Sequence, residues 1–251
     1  MAGPVFKDHF SGHADDYARY RPDYPEALFD WLAGLSESHE RAWDCATGNG
    51  QAALRLAERF DEVVATDASA EQLARARVHP RVRYLVAPAE APPLADASVD
   101  LVTVAQALHW FDFPRFCDAA GRICRPGGAL VAWCYGFNGV NADIDPVLRY
   151  FYDEVVGPYW PPERRLIDRQ YRDFTFPFPE IEAPRLAMEK RWTLGDLLGY
   201  LGTWSAVQRY RQTRGEDPLA LLEPELARAW GAPEEPRTVR WPLHIRALRP
   251  R

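Results

Sequence analysis

Lysine is nearly missing from this chain: Lys7 and Lys190 stand alone among 30 basic residues. Biased codon usage explains that better than any anion-binding role. Cysteine is sparse. Cys45, Cys117, Cys124 and Cys134 form no CxxC pair and have no His at ligand spacing, which argues against a zinc or other metal centre. Such thiols fit a reducing cytosol, although two disulfides remain compatible with the spacing. No run of about 18 apolar residues is present to span a membrane. The N-terminus, MAGPVFKDHFSGHADDY, lacks the apolar core of a secretory signal. Positive charge is in deficit too: the formal net charge is -6, and a protein that coats nucleic acid needs the opposite balance. These absences point to a soluble cytoplasmic protein with no membrane and no nucleic-acid partner. Nothing in them speaks to oligomeric state.

What is present is a chain of 251 residues, 47% hydrophobic, with 22 prolines. At about 150 residues per domain the length allows one or two domains. A fold of this size buries about 70% or more of its unfolded surface without staples.

The first half alternates short apolar runs with helical patterns. Strands are expected at Arg41–Cys45, Val63–Thr66, Val82–Val86, Val99–Ala105 and Ala129–Tyr135. Helices are expected at Pro25–Leu35, Gln51–Arg59, Ser69–Arg77 and Phe113–Cys124, the last stopped by Pro126-Gly127-Gly128. Alternation at this spacing means βαβ units and a parallel sheet with helices on both faces. Near residue 136 the rhythm breaks into a stretch rich in proline and aromatics. Helices are read at 145–156, 162–173, Leu194–Gln212 and Pro218–Trp230, and late strands at Arg185–Trp192 and Thr238–Ala247. This divides one domain into an N-terminal gate and cofactor-binding core, 1–136, and lid helices with closing strands, 137–251.

The strongest chemical signal is the strand, glycine turn and helix at 41–59, with Gly48 and Gly50 in the turn. Glycines let a ligand approach the backbone, and the next helix offers unpaired N–H groups. Asp67 closes the following strand, where an acid can accept from both hydroxyls of a ribose. Gly48-x-Gly50-x-x-Ala53 also fits a dinucleotide fingerprint, so an NAD(P)-dependent oxidoreductase stays open. Asp44, just before the turn, suits a cationic ligand such as a sulfonium better than a pyrophosphate.

Three further stretches complete a set: Ala87-Pro88-Ala89-Glu90, then Gln106-Ala107-Leu108-His109-Trp110-Phe111 after strand four, then Arg125-Pro126-Gly127-Gly128 before strand five. In this order the motifs resemble the class I S-adenosylmethionine-dependent methyltransferases. The small-molecule branch called methyltransferase type 11, with its trans-aconitate methyltransferase-like members, is most similar. The likeness is clear from Phe10 to Tyr135 and fainter beyond. It implies an α/β, Rossmann-like fold: a seven-stranded, mostly parallel sheet, an antiparallel final hairpin and a helical lid insertion. It implies S-adenosyl-L-methionine as cofactor and S-adenosyl-L-homocysteine as product. Asp44, Ala46, Thr47, Gly48 and Gly50 would surround the methionine part, Asp67 the ribose, and Ala68, Ala89 and Glu90 the adenine. Gln106 would lie near the methionine end. Two positions depart from the pattern. Ala46 replaces a glycine, which the turn tolerates if φ stays negative there, and Pro88 replaces an acid that meets the adenine amino group.

Tyr17, Tyr20 and Arg21, in an aromatic N-terminal segment, are expected to close over cofactor or substrate. His109, at the end of strand four, is the candidate general base. It shares a substrate pocket with Trp110, Trp133, Tyr135, Trp160 and Trp204, whose rings can equally form core between lid and sheet. Arg164, Arg165, Arg169 and Arg172 read as a solvated helix face paired with nearby acids, with a carboxylate clamp as the lesser reading. The expected reaction is methyl transfer to a small acceptor, with a carboxylic acid as one candidate. A non-catalytic binding module of the same fold is the remaining alternative.

Overall fold

The computed structural model describes residues 20–251. Five strands carry the parallel part of the sheet: β1 (Arg41–Cys45), β2 (Glu62–Asp67), β3 (Val82–Val86), β4 (Val99–Ala105) and β5 (Cys124–Tyr135). Helices α1 (Glu26–Ala33), α2 (Gln51–Leu56), α3 (Ala70–Ala74) and α4 (Phe113–Ile123) precede or connect them. Beyond β5 come α5 (Asp145–Tyr150), α6 (Arg164–Asp168), β6 (Glu180–Ile181), β7 (Ala187–Trp192), α7 (Leu194–Gly202), α8 (Ser205–Arg214), α9 (Leu219–Trp230) and β8 (Arg237–Leu248).

The sheet order is β3-β2-β1-β4-β5-β8-β6, with β7 also paired to β8. The β3-β2-β1-β4-β5 ladders are parallel, and every pairing of β8 is antiparallel. Because side chains alternate across a strand, successive residues feed two cores. Ala42, Leu101 and Val131 face one core with α1, α7, α8 and α9. Trp43, Val102 and Leu130 face the other with α4 and Tyr171. Burial on both faces explains why these strands are continuously apolar in sequence.

The expected mostly parallel α/β sheet with a closing antiparallel hairpin is present, and four expectations are corrected. The sheet has eight strands, not seven, because the two-residue β6 adds to β8. Pro126-Gly127-Gly128 does not end α4. β5 already begins at Cys124, and the triplet sits where the β4–β5 register shifts, with Gly127 at φ 78°. The single helix read at 194–212 is two, broken where Trp204 turns extended. Finally, α5 runs into a π-helical turn, Phe151–Val155, a feature with no periodicity signature.

Candidate active site

The C-terminal ends of β1, β2, β4 and β5 lie together, as parallel pairing requires. The β1–α2 turn holds Ala46 at φ 55°, Gly48 at 59° and Gly50 at 84°. Ala46 therefore adopts the left-handed conformation, so the condition of a negative φ is not met and the turn forms regardless. That costs an L-residue about 1 kcal/mol or more. A Cβ on Gly48 would meet nothing within 4 Å, so the backbone there borders open space. A Cβ on Gly50 would fall 2.3 Å from the Tyr84 hydroxyl oxygen, so β3 packs directly over that glycine.

Asp44 lies fully buried beneath the turn. The Thr47 hydroxyl donates to its Oδ2 at 2.5 Å, and the Thr103 hydroxyl to its Oδ1 at 2.8 Å. The Ala53 N–H, in the first turn of α2, also points to this carboxylate. Burial outweighs these donors and raises the Asp44 pKa to about 6, with the charge of Asp67 adding to the rise. No cation pairs with Asp44 among the described residues. Asp67 accepts from the Gly48 N–H and the Ser69 N–H, both at 2.8 Å, and so ties the turn to the end of β2. Ala68 is exposed beside it. Ala89 is buried, and Glu90 accepts from the Asp112 N–H at 2.8 Å.

Gln106 stands at the end of β4 with φ 56°. Its Nε2 donates to the Tyr135 carbonyl at 3.0 Å, and its Oε1 accepts from the Tyr135 N–H at 2.9 Å. The side chain thus continues the β4–β5 ladder, with a second Nε2 proton and a second Oε1 lone pair still to place.

His109 is buried in a 3-10 turn after β4. Its Nδ1 lies 2.9 Å from the Tyr171 hydroxyl. With the Tyr171 hydroxyl as donor in this bond, the imidazole carries its proton on Nε2. Burial, helped by the charge of Arg164, lowers the His109 pKa to about 3.

Of the predicted pocket rings, Trp160 and Trp204 come together, 5.5 Å apart, with Tyr152 at 5.0 and 5.5 Å from them. Tyr135 accepts from Arg21 Nη1 at 2.9 Å, and Arg21 lies over the Tyr200 ring. Tyr20 packs so closely on α7 that a Cβ at Gly199 would fall 2.5 Å from its ring. The other two rings differ in burial. Trp133 is fully buried under Tyr24, with its indole N–H unpaired among the described residues. Trp110 is 37% exposed, with its ring 4.6 Å from that of His109. Tyr17 lies outside the described residues.

The sequence reading missed Thr103, Tyr84, Tyr152, Tyr171 and Tyr200, which support or border these groups. It also placed Arg164 on a solvated face. Its side chain is instead only 17% exposed. Arg169 does pair outside, with Asp173 at 3.0 Å. The sequence signal for Arg164 was its position among Tyr152, Trp160 and Asp168.

A parallel sheet of this order, closed by an antiparallel strand and bearing a glycine turn after β1 and an acid at the end of β2, defines a class I S-adenosylmethionine-dependent methyltransferase. A family profile described as a methyltransferase domain matches residues 43–132. A Dictyostelium discoideum protein named as a methyltransferase is 31% identical over 239 residues, covering 92% of this chain and 91% of its own. A Mycobacterium tuberculosis protein named as an uncharacterized methyltransferase is 42% identical over 122 residues, spanning 48% of this chain and about half of its own length (49%). Among solved structures, one from Anaeromyxobacter dehalogenans named as a type II methyltransferase is 48% identical. It covers 92% of this chain and 98% of its own, with a TM-score of 0.88. The chain belongs to the class I S-adenosylmethionine-dependent methyltransferase family. It is an enzyme of that family, and the oxidoreductase and non-catalytic readings fall away.

Proposed function

We propose that this enzyme transfers the methyl group of S-adenosylmethionine to a small organic acid held over the C-terminal ends of β4 and β5. The observation that carries the cofactor placement is a buried carboxylate without a cation, Asp44, beneath open space at Gly48. Such a site favours a ligand with positive charge. Asp44, Ala46, Thr47, Gly48 and Gly50 would hold its methionine part. Asp67, placed at the end of β2 by its bonds from the Gly48 and Ser69 N–H groups, would hold the ribose. Ala68, Ala89 and Glu90 would border the adenine. Gln106 would lie near the methionine end, held there by its two bonds to the Tyr135 backbone.

When bound, the cofactor supplies a methyl carbon already activated by a sulfonium. The chain supplies orientation and exclusion of water. Tyr20 and Arg21 would close the entrance, and residues 137–251 would act as lid and closing strands to the core that precedes them. The contiguous rings of Tyr152, Trp160, Tyr200 and Trp204 support a small acceptor. A carboxylate acceptor has no proton to lose, so no general base is required. With its pKa at about 3, His109 is a poor proton acceptor at neutral pH. We therefore assign it hydrogen-bond donation from Nε2 in place of the base role. The four free, buried cysteines support a reducing, cytosolic setting.

Calorimetric titration with S-adenosylhomocysteine and with NAD⁺, followed by transfer of labelled methyl to a panel of carboxylic acids, tests this reading. Binding of the first ligand only, with label in an acid, is expected. Label appearing only in protein or nucleic acid would overturn the small-acceptor assignment.

A further inference from the structure

Arg164 is held as few of the chain's arginines are. Its Nε donates to the Tyr152 hydroxyl at 2.7 Å and lies 3.2 Å from Asp168 Oδ1. The Tyr152 hydroxyl in turn donates to the same Asp168 oxygen at 2.6 Å. The guanidinium carbon sits 4.6 Å from the centre of the Trp160 ring and 5.4 Å from that of Tyr152. Trp204 closes the group from the side of Trp160. Neither Nη atom has a hydrogen-bond partner among the described residues. Other arginines of the chain spend that fork on structure: Arg59 on Asp30 and Glu26, Arg211 on Asp217, Arg249 on the Gly127 and Gly128 carbonyls.

The fork is oriented and its charge acts inward. It lowers the pKa of His109 after β4, and it acts on Cys134 of β5 and Tyr200 of α7. The helix that begins at Arg164 packs against the turn that carries His109, and the Tyr152 ring beneath the guanidinium meets Phe137, two residues beyond β5, at 5.4 Å, so Arg164 lies at the C-terminal ends of β4 and β5.

We propose that Arg164 selects the acceptor by binding a carboxylate of a small organic acid through its two Nη groups, with His109 Nε2–H as a second donor. This rests on the methyl-transfer reading above and names the residue that sets its substrate class. A planar fork matches a carboxylate in bidentate geometry, which an ammonium does not. The rings of Tyr152 and Trp160 fix the plane of the fork. Trp204 offers apolar surface to the body of the acid. A neutral acceptor of the same shape would leave the two Nη groups of this largely buried guanidinium without an anionic acceptor, so the site discriminates by charge.

The test pairs aliphatic and aromatic carboxylic acids with their primary amides as acceptors for the full-length enzyme, with release of S-adenosylhomocysteine as readout. The wild type is expected to prefer acids to amides by about 100-fold in kcat/KM. Arg164→Gln should collapse that ratio towards one, chiefly through KM for the acids, and leave the Kd of S-adenosylhomocysteine within twofold. If Arg164→Gln does not fold, Arg164→Lys keeps charge and stem but loses the fork, and a tenfold loss on acids is expected. A wild type indifferent to acid against amide, or a variant that keeps the preference, overturns the proposal. Transfer only to amines or phenols overturns it and leaves the methyltransferase intact. Failure to bind S-adenosylhomocysteine overturns the reading beneath it as well.

Discussion

Replacing Asp44 by Asn separates a carboxylate kept for a ligand from one kept for the fold. The Asp44 pKa rises from 3.8 to about 6 because the ionised form is buried. An acid whose pKa is raised on folding contributes stability fully present below pH 3.8 and lost as the pH rises through 6. At pH 7 the ionised form costs the folded protein about 3 kcal/mol relative to an exposed carboxylate, at about 1.4 kcal/mol per unit. Asn removes the charge. It also disturbs the bonds from the Thr47 and Thr103 hydroxyls, because an amide cannot accept at both ends, which returns about 1–2 kcal/mol of the gain. Urea unfolding of the ligand-free protein at pH 7 should therefore find Asp44→Asn as stable as the wild type, or more stable by about 1–2 kcal/mol. Affinity moves the other way. A ligand cation near Asp44 at an effective dielectric of about 20 gains several kcal/mol, so calorimetry should find binding at least about tenfold weaker in the variant. In the wild type, ligand binding to the ionised form makes Kd rise about tenfold from pH 7 to pH 5, and Asn flattens that dependence. A variant that loses about 2 kcal/mol of stability at pH 7 yet binds as the wild type would show that the carboxylate serves the fold and not the ligand. It would make Asp44 a cap for α2 and nothing more.

Three other outcomes follow from the same geometry. Ala46→Gly relieves a φ of 55° at some cost in unfolded-chain entropy, so thermal denaturation should show a gain of about 0.5–1 kcal/mol. Gly50→Ala drives a Cβ into the Tyr84 hydroxyl and strains a φ of 84°, so a loss of about 2–3 kcal/mol is expected. Adding Tyr84→Phe should restore part of it, and a strictly additive pair would contradict the clash. With the cofactor saturating, so that Asp44 does not titrate in the profile, kcat for an acid should show no limb near pH 6.5, because the His109 pKa lies at about 3. A limb there that His109→Asn abolishes would restore the base role.

The parallel half of the fold was legible because its strands are buried on both faces. Val99–Ala105 can be little else, and β3 and β4 have the bounds the sequence indicated. The glycine turn and Asp67 were legible for a related reason: their chemistry is local, and the bonds from Gly48 and Ser69 to Asp67 span only a strand end. The lid was harder to read. Trp204 breaks a helix that propensity would continue, because its ring packs on Phe151 and Tyr200. The π-helical turn that carries Tyr152 leaves no mark in the sequence. Arg164 misled because a helix of five residues has too few turns to reveal which face is buried. Part of the arginine excess now has a use. Arg237 bonds the Trp230 carbonyl, and Arg249 and Arg251 bond carbonyls around α4 and the start of β5.

A crystal structure with S-adenosylhomocysteine bound shows at once whether the glycine turn, Asp44 and Asp67 hold the cofactor. The homocysteine portion is expected over Gly48 and Asp44, the ribose hydroxyls on Asp67, and the sulfur on the side of the β4 and β5 ends where His109 and Arg164 lie. Ligand bound elsewhere, or a sulfur turned away from Arg164, would contradict it.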